Sequence, residues 1–228
     1  MAISLEKYDQ FPAPAPTLVD TRRAAQEKRF TTSDSRELFY RYWPAKSATP
    51  KGAVILFHRG HEHSGRLMHL VEELDMPEFA FFAWDARGLG RSRLDQEPEC
   101  SSGRLVRDVK EFSEHITSAY GIKETDVAVI AQSISAVLVA AWVHDYAPKI
   151  RCMALASPAF AVKLYFPFAW PGLKLLYALR GNFSVNSYVK GKFLTHDAER
   201  VESYDNDPLI VRPIAVNLLL ELKDLAKR

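Results

Sequence analysis

The sequence predicts an α/β fold built on a mostly parallel sheet with helices on both faces. Four continuous apolar runs have the length of strands, at residues 53–57, 79–84, 127–130 and 152–156. Such runs are typical of parallel strands buried on both faces, whereas a sheet with one wet face alternates polar and apolar residues. Helical patterns separate the later runs, and strands that alternate with helices imply right-handed βαβ crossovers.

The first element along the chain is an N-terminal arm, expected to be flexible over residues 1–30. Residues 11–16 read Phe-Pro-Ala-Pro-Ala-Pro, and proline has no backbone N–H to give to a sheet ladder or a helix interior. A short alternating run at residues 37–43 then precedes the first buried strand. We therefore expect the folded core to begin at residue 31.

Three helices follow from the spacing of apolar residues. One pattern repeats at intervals of four, three and four: Leu105, Val109, Phe112 and Ile116. Gly121 is expected to end that helix, since glycine readily adopts the left-handed conformation found just after a helix. The stretch after Ser133, to residue 146, is rich in Ala and Val and is closed by Pro148. A last helical pattern occupies residues 214–222.

The pattern of the sequence changes after Pro158. We therefore expect an α/β core at residues 31–158 and a helical lid at residues 159–228. Within this lid, residues 161–180 combine many aromatic and leucine side chains with two prolines. Two interpretations stay open. The apolar side chains form a cover over a binding cleft, or they belong to helices that pack on the core, which is the usual meaning of an apolar stripe.

Composition excludes several classes of function. The formal net charge is +2, which gives no strong field for nucleic acid or an anionic membrane. The two cysteines form no metal-like spacing with the seven histidines, so we expect no metal, no cofactor and no disulfide. The N-terminus lacks a signal-peptide pattern and no apolar stretch reaches 18 residues. We expect a cytoplasmic protein with no transmembrane segment.

The sharpest chemical signal is an apolar strand that runs into Ser133 and then directly into an apolar helix. A nucleophilic serine on such a turn needs small residues two positions before and two after, because the strained backbone packs closely on its neighbours. Here these positions hold Ala131 and Ser135, where glycine is the usual residue at both. The alternative is that Ser133 simply caps the following helix.

A second signal follows the strand at residues 53–57. Residues 58–66 read His-Arg-Gly-His-Glu-His-Ser-Gly-Arg and resemble the H-G-x-G-E-H-S-G-R run of the monoacylglycerol lipase family. The resemblance implies an oxyanion hole formed by the backbone N–H groups of Gly60 and Ile134. Arg59 and His61 stand where the family has glycine. The alternative interpretation of the three histidines in this loop is a metal site.

Two further segments carry the same resemblance. Residues 85–92 resemble the family's D-x-x-G-x-G-x-S, where we expect Asp85, Arg87 and Ser92 to make structural hydrogen bonds. Asp108 is expected on a helix surface. Residues 206–209, Asn-Asp-Pro-Leu, resemble the run at the end of the family's lid. The resemblance spans residues 29–228 and identifies an α/β-hydrolase of the monoacylglycerol lipase and serine aminopeptidase-like (lysophospholipase-like) type.

The family's catalytic acid and histidine come after the lid, in the chain order Ser, Asp or Glu, His. Asp145 and His144 cannot serve, because the helical rise of about 1.5 Å per residue carries them far from Ser133. His196 is expected beside a helix start rather than in the site. The sequence therefore predicts an α/β-hydrolase fold lacking its last strands, with the triad Asp and His downstream.

Two functions remain in competition at this stage. The first is a serine hydrolase of acyl or lipid esters in which Ser133 is the nucleophile, with peptide cleavage as a lesser variant. The second is a binding module or pseudoenzyme of the same fold. A downstream domain or a partner is expected to cover the apolar edge of the sheet, since an unpaired edge strand is prone to pair with another chain.

Overall fold

The central sheet of the computed structural model has six strands. The structure describes residues 23–96, 99–161, 168–187 and 189–227. The strands are β1 (Gln26–Thr31), β2 (Glu37–Trp43), β3 (Gly52–Phe57), β4 (Phe79–Trp84), β5 (Val127–Gln132) and β6 (Cys152–Ala156). Their order is β1-β2-β4-β3-β5-β6. The pairs β3–β4, β3–β5 and β5–β6 are parallel, while β1 and β2 join the sheet antiparallel. The predicted mostly parallel sheet is confirmed.

Helices lie on both faces of this sheet. They are α1 (Met68–Glu73), α2 (Ser102–Tyr120), α3 (Ile134–Tyr146), α4 (Ala169–Arg180), α5 (Ala198–Asp205) and α6 (Val216–Leu225). The predicted end of α2 is confirmed, because Gly121 has a φ of 64° and its N–H donates to the carbonyl of Thr117. The glycine tolerates this left-handed conformation without the steric cost that a Cβ would bring.

The core has one apolar cluster on each face of the sheet. The larger cluster joins alternate side chains of β3 and β4 to α2 and α3, with Phe57, Trp84, Phe112 and Trp142 among its buried members. The smaller cluster joins the other side chains of those strands to α1. Every residue of β3 is buried, which is why this strand reads as an uninterrupted apolar run.

The sheet begins earlier than the sequence predicted. Strand β1 occupies Gln26–Thr31 and pairs with β2, so residues 26–30 belong to the sheet and not to the N-terminal arm. Only Phe30 of this strand is buried. An edge strand is held largely by its backbone hydrogen bonds, so its side chains need no apolar pattern. The first 22 residues of the predicted arm lie outside the described part.

The lid region contains α4, α5, α6 and a small antiparallel pair, β7 (Ser184–Asn186) with β8 (Pro213–Ala215). No residue of α4 is buried, and large apolar side chains project from it: Leu175, Leu176 and Leu179. Its described residues therefore do not pack as a core helix. Residues 162–167 lie outside the described part. Within the described residues, no helix is both long enough and apolar enough to cross a bilayer.

Candidate functional site

Ser133 occupies the turn between β5 and α3, as the sequence predicts. Its backbone has φ 57° and ψ −119°, a conformation that non-glycine residues rarely adopt and that stores strain. Two backbone hydrogen bonds hold the turn against the end of β6: Ser133 N–H donates to the carbonyl of Ala156 at 3.0 Å, and Ala159 N–H donates to the carbonyl of Ser133 at 3.2 Å. The sharp turn is therefore fixed by a neighbouring strand.

The helix-cap interpretation of Ser133 does not fit this geometry. Ser133 stands at the N-cap position of α3, yet its side chain makes no capping hydrogen bond. A capping serine accepts from an N–H of the first helical turn and has an extended backbone, whereas the φ of Ser133 is positive. The hydroxyl is half-buried and makes no hydrogen bond within the described residues.

The small residues two positions before and two positions after Ser133 lie in different surroundings. Ala131 is fully buried in the core. Ser135 is also buried, and its Oγ donates to the carbonyl oxygen of His58 at 2.5 Å. The departure from glycine at position 135 thus adds a hydrogen bond that ties the turn to the loop after β3.

Gly60 and the side chain of Ile134 lie close together. A Cβ at Gly60 would stand only 2.8 Å from Cδ1 of Ile134, so a larger residue at position 60 would require this flexible side chain to move. Ile134 is the first residue of α3, where a backbone N–H has no acceptor inside the helix. Within the described residues the N–H of Gly60 also has no acceptor. Both residues thus have a backbone N–H that remains free to donate, and Ile134 directly follows Ser133.

His58 is a structural residue of the loop after β3. Its ring is fully buried; Nδ1–H donates to the carbonyl of Arg59 at 2.7 Å, and Nε2 accepts from the N–H of Ala86 at 3.0 Å. These partners require the neutral ring, and burial lowers the pKa of His58. The imidazole thus joins the ends of β3 and β4.

His61 fixes the same loop to the distant lid. Its backbone is left-handed, with φ 72°. Its Nδ1–H donates to the carbonyl of Val211 at 2.5 Å, and the N–H of Val211 donates back to the carbonyl of His61 at 3.1 Å. Burial lowers the pKa of His61. The His61 side chain is therefore a tether between the loop after β3 and the segment before β8.

His63 faces a carboxylate. Its Nε2–H donates to Oδ2 of Asp207 at 2.9 Å, and its Nδ1 accepts from the N–H of Gly65 at 3.2 Å. Within the described residues, no group of three or more histidine, cysteine or acidic side chains is arranged to hold a metal ion. The metal-site alternative for the loop histidines is thus unsupported, because His58, His61 and His63 each bind a protein acceptor.

A cluster of charges lies behind this loop. Nε of Arg59 contacts Oε1 of buried Glu62 at 2.8 Å, and Nη1 of Arg66 contacts Oδ2 of Asp207 at 3.2 Å. Burial alone would raise the pKa of Asp207, but hydrogen bonds from His63, the Leu209 N–H and Arg66 lower it. The sequence did not reveal that Asp207 meets the loop 141 residues earlier. The sequence contained one signal that could have indicated this contact: residues 58–66 and 206–209 both resemble runs of the same family.

The D-x-x-G-x-G-x-S segment is structural, as expected. Asp85 is fully buried and accepts from the N–H of Ser64 and the N–H of Arg91, both at 2.7 Å. Ser92 Oγ donates to the carbonyl of Asp85, also at 2.7 Å. The carboxylate therefore joins the β4 loop to the loop after β3, next to the candidate oxyanion residues.

Asp108 is not on a helix surface, contrary to the sequence prediction. It is fully buried, and two guanidinium groups hold it: Arg87 through Nε at 2.8 Å, and Arg104 through Nη2 at 2.7 Å. Hydrogen bonds with Asp108 and Asp34 raise the pKa of Arg87. The helical position of Asp108 was predicted correctly, but its side chain is covered by Arg104 of the same helix and by Arg87 of the loop after β4.

Two cavities are lined by residues that neighbour Ser133 in the chain. One, of about 440 Å³, is lined by Gly60 and Ile134 and by apolar side chains from several elements, among them Leu89, Leu138, Ile214 and Leu218. The other, of about 690 Å³, is lined by Arg59, Gln132 and Ala156. Gln132 precedes Ser133, and the carbonyl of Ala156 accepts its N–H. Gln132 and Ile134, the two neighbours of Ser133 in the chain, therefore line different cavities.

No histidine hydrogen-bonds Ser133. All seven histidines lie in the described part of the chain, and none makes a hydrogen bond to its hydroxyl. His144 pairs with Asp145 on the exposed end of α3, at 2.9 Å. His196 is exposed, next to Asp197, whose side chain caps α5. The described residues thus bring together a serine and two N–H groups but not a base.

Comparison with known proteins finds one family. The family model described as serine aminopeptidase, S33, matches residues 48–228. The uncharacterized protein YnbC of Escherichia coli (strain K12) is 56% identical over 210 residues, which are 92% of this chain and 36% of YnbC. The monoglyceride lipase of Mus musculus is 30% identical over 190 residues, 79% of this chain and 59% of the lipase.

A solved structure agrees with the fold. A soluble variant of monoglyceride lipase from Saccharomyces cerevisiae, in complex with a substrate analog, matches with a TM-score of 0.72 at 18% identity, over 94% of this chain and 72% of that one. The α/β-hydrolase fold predicted from the sequence is thereby confirmed. The chain spans about a third of YnbC and about three fifths of the mouse lipase.

Proposed function

This chain belongs to the serine aminopeptidase S33 family of α/β-hydrolases, and on that premise we propose that it carries the nucleophile of a serine hydrolase that cleaves carboxylic esters of acyl or lipid type. The observation that carries the proposal is the turn at Ser133. Its positive φ, its unbonded hydroxyl and the two adjacent N–H donors are what nucleophilic attack on an ester carbonyl requires.

In this proposal Ser133 Oγ attacks the carbonyl carbon and forms a tetrahedral intermediate. The negative charge that develops on the former carbonyl oxygen is stabilised by the N–H groups of Gly60 and Ile134. Donors already held in place stabilise charge in the transition state without reorganising, and one such donor is commonly worth about 10²–10³ in rate. The hydrogen bond from Ser135 to His58 and the tether from His61 to Val211 keep the two donors together.

The general base is the part that the described residues do not supply. A serine hydroxyl is a weak nucleophile near neutral pH and needs an oriented base within about 3 Å. None of the seven histidines fulfils that condition. We propose that the histidine and its acid come from sequence beyond residue 228, as the family's order of Ser, acid and His implies. The relatives' greater length supports this proposal.

In this proposal the acyl chain of the substrate has a binding cavity of its own. The cavity of about 440 Å³ that Gly60 and Ile134 line has the size and the apolar walls of a ligand site. An acyl chain bound there would have its carbonyl at the oxyanion donors and its alcohol part on the other side of Ser133. The mouse relative is a monoglyceride lipase, and a monoglyceride is an ester with one acyl chain and an alcohol part.

The competing proposal is a binding module of the same fold. It is favoured by one observation, the absence of a base at Ser133 among the described residues. In that case the site holds an acyl compound without turnover, and the side chains at positions 59 and 61, where the family has glycine, adapt the loop to binding. Ser133 would then be dispensable.

The experiment is hydrolysis of a 4-nitrophenyl ester by two forms of the protein, the 228-residue chain and a form that continues past Arg228. We expect turnover in the longer form and its loss on Ser133→Ala. In the short form the rate is expected to be low and little changed by the same substitution, because oxyanion donors alone give about 10³-fold catalysis. Ser118→Ala, on the exposed side of α2, is the matched control. Robust turnover by the short form that Ser133→Ala abolishes would place the base within this chain.

A further inference from the structure

The tether to Val211 accounts for one nitrogen of the His61 ring and leaves the other unexplained. His61 stands where the family has glycine, and its backbone φ of 72° is one that glycine adopts at less steric cost. The side chain is only 8% exposed. It lines the cavity of about 440 Å³ that Gly60 and Ile134 also line. The wall of this cavity thus contains a buried polar ring at a position that favours glycine.

Hydrogen bonding fixes the tautomer of the ring. Nδ1 lies 2.5 Å from the carbonyl oxygen of Val211, and a carbonyl oxygen can only accept, so Nδ1 carries the proton. Burial lowers the pKa of His61, and the ring is therefore neutral near pH 7. In a neutral imidazole one nitrogen donates and the other accepts. Nε2 is thus a hydrogen-bond acceptor.

Nε2 has no donor among the described residues. The bonds between His61 and Val211 use Nδ1 and the backbone, and the ring has no further hydrogen-bond partner in the described part of the chain. Nε2 is not sealed from solvent, and the ring lines the cavity of about 440 Å³. Buried polar groups are normally hydrogen-bonded. The unused acceptor is therefore available to a molecule that binds in this cavity.

The other polar side chains of the cavity are either engaged or exposed. Arg87 binds Asp108 and Asp34, and Ser135 donates to the carbonyl of His58. Four more polar residues of the lining are exposed to solvent: Arg93, Glu99, Asn182 and Ser184. His61 differs from all of these, because it combines burial with a nitrogen that has no partner within the described residues.

We propose that His61 selects esters whose acyl chain carries an uncharged hydroxyl group near the carbonyl. The proposal rests on the proposed function, in which the acyl chain occupies this cavity and the carbonyl oxygen binds the N–H of Gly60. His61 is the next residue, and successive Cα atoms are about 3.8 Å apart, so its ring meets the carbonyl end of the chain. His61 is thus a specificity-determining residue.

The selectivity follows from what each kind of chain does to Nε2. A plain alkyl chain would displace water from this nitrogen without offering a donor, and a buried acceptor left unsatisfied costs more than a typical hydrogen bond gains. A hydroxyl at the right place donates to Nε2 and removes that cost. A site built to bind a hydroxyl therefore discriminates against the chain that lacks it.

The test uses three methyl ketones of equal chain length: nonan-2-one, 4-hydroxynonan-2-one and 8-hydroxynonan-2-one. The second places its hydroxyl near the carbonyl and the third places it at the far end. Ketones have no leaving alcohol, so their binding does not depend on turnover, and failure of the hydrolase proposal would leave this measurement intact. We expect 4-hydroxynonan-2-one to bind about tenfold more tightly than nonan-2-one, and 8-hydroxynonan-2-one no more tightly than nonan-2-one. Titration calorimetry at neutral pH measures the affinities.

Variants then assign the preference to one side chain. His61→Gly restores the family's residue, and His61→Asn tolerates the positive φ but has no ring nitrogen. Both are expected to bind nonan-2-one and 4-hydroxynonan-2-one within about twofold of each other. His144→Asn, on the exposed end of α3, is the matched control and should keep the full preference. Thermal unfolding of each variant shows whether the fold is intact.

A second measurement follows the nitrogen itself in the unmodified protein. In protein labelled with ¹⁵N-histidine, the signal assigned to His61 is the one that disappears in His61→Asn. We expect a protonated Nδ1 and an unprotonated Nε2. The Nε2 resonance should move upfield when 4-hydroxynonan-2-one binds, because the nitrogen then accepts a hydrogen bond, and should move less with nonan-2-one.

Four outcomes overturn the proposal. They are equal affinity of the unmodified protein for all three ketones, an equal gain from the distant hydroxyl, a preference that survives both substitutions of His61 in folded protein, and a protonated Nε2 in the free protein. Failure of all three ketones to bind would also overturn it, since the acyl chain would then not occupy this cavity. Ester turnover by the longer form is a separate result that would stand in that case.

Discussion

Ser135 Oγ donates a hydrogen bond of 2.5 Å to the carbonyl oxygen of His58, 77 residues earlier in the chain. Both groups are buried, and the bond joins the helix after Ser133 to the loop that carries Gly60. The contact of Gly60 with Ile134 lies between the same two segments. The relative position of the two candidate oxyanion donors thus depends on a side chain two residues after the serine.

Ser135→Ala is therefore expected to lower the free energy of unfolding by about 1–3 kcal/mol, because it leaves the buried carbonyl of His58 without its donor. Urea denaturation measures the loss. The control is Ser118→Ala, whose hydroxyl also donates to a backbone carbonyl but on the exposed surface of α2. An equal effect of the two substitutions would show that the buried bond contributes nothing specific.

The stability of the protein should fall as the pH is lowered below about 6.5. Burial lowers the pKa values of His58 and His61, so the unfolded chain takes up protons at a pH where the folded protein does not. The unfolded state then binds more protons, and stability decreases from pH 6.5 downward until the depressed folded pKa is reached. Each histidine contributes a slope of up to about 1.4 kcal/mol per pH unit in that window.

The variant His61→Asn separates titration from hydrogen bonding in this test. Asparagine tolerates the positive φ of this position and offers an amide donor toward the carbonyl of Val211, but it does not titrate. We expect a shallower dependence of the urea midpoint on pH between 5 and 7, with His58 responsible for the remaining slope. An unchanged slope would mean that His61 is protonated in the folded protein.

Most strands and helices around Ser133 were predictable because burial dictates their apolar patterns, although β6 is apolar and largely exposed. The run at 152–156 coincides with β6, and the run at 127–130 became β5, two residues longer. Strand β1 was missed because residues 26–29 are polar, and their place in the sheet is set by backbone pairing with β2. The tether between His61 and Val211 joins positions 150 residues apart. No local pattern encodes such a contact.

Substitution of Asp108 should lower the free energy of unfolding more than most substitutions outside the candidate site. It is fully buried between the guanidinium groups of Arg87 and Arg104. Removal of one partner from a buried charge network leaves uncompensated charges and commonly costs about 3–5 kcal/mol. We expect Asp108→Ala to lower the free energy of unfolding by that amount. Asp126→Ala, which breaks the exposed pair with Arg151, should cost less than about 1 kcal/mol.

Gly90 should not tolerate a methyl group. It has a φ of 50°, and a Cβ there would stand 2.3 Å from Oδ2 of Asp85 and 2.6 Å from Cβ of His63. The atom struck is the one that accepts from the N–H of Arg91. We expect Gly90→Ala to lower the free energy of unfolding by about 2 kcal/mol or more. Gly103→Ala in α2 meets nothing closer than 3.9 Å and should be neutral or stabilising.

Replacement of Ser133 should reveal the strain of the turn independently of activity. Ser133→Ala keeps a Cβ in the backbone conformation of φ 57° and ψ −119°, whereas Ser133→Gly removes it. Strain of this kind costs about 1–3 kcal/mol, while glycine loses about 0.5–1 kcal/mol relative to alanine through the greater freedom of the unfolded chain. The first effect exceeds the second, so we expect the glycine variant to be more stable by about 1 kcal/mol.

At position 118 we expect the opposite order of stability for the matched pair Ser118→Gly and Ser118→Ala. Ser118 lies inside α2, where the backbone is unstrained and glycine should be less stable than alanine by about 1 kcal/mol. Both pairs are measured by urea denaturation at one pH. If the Ser133→Gly variant were less stable than Ser133→Ala by the amount measured at position 118, the turn would store no strain. A stable Ser133→Gly protein that has also lost ester turnover would show that the site retains a strained serine at the expense of stability.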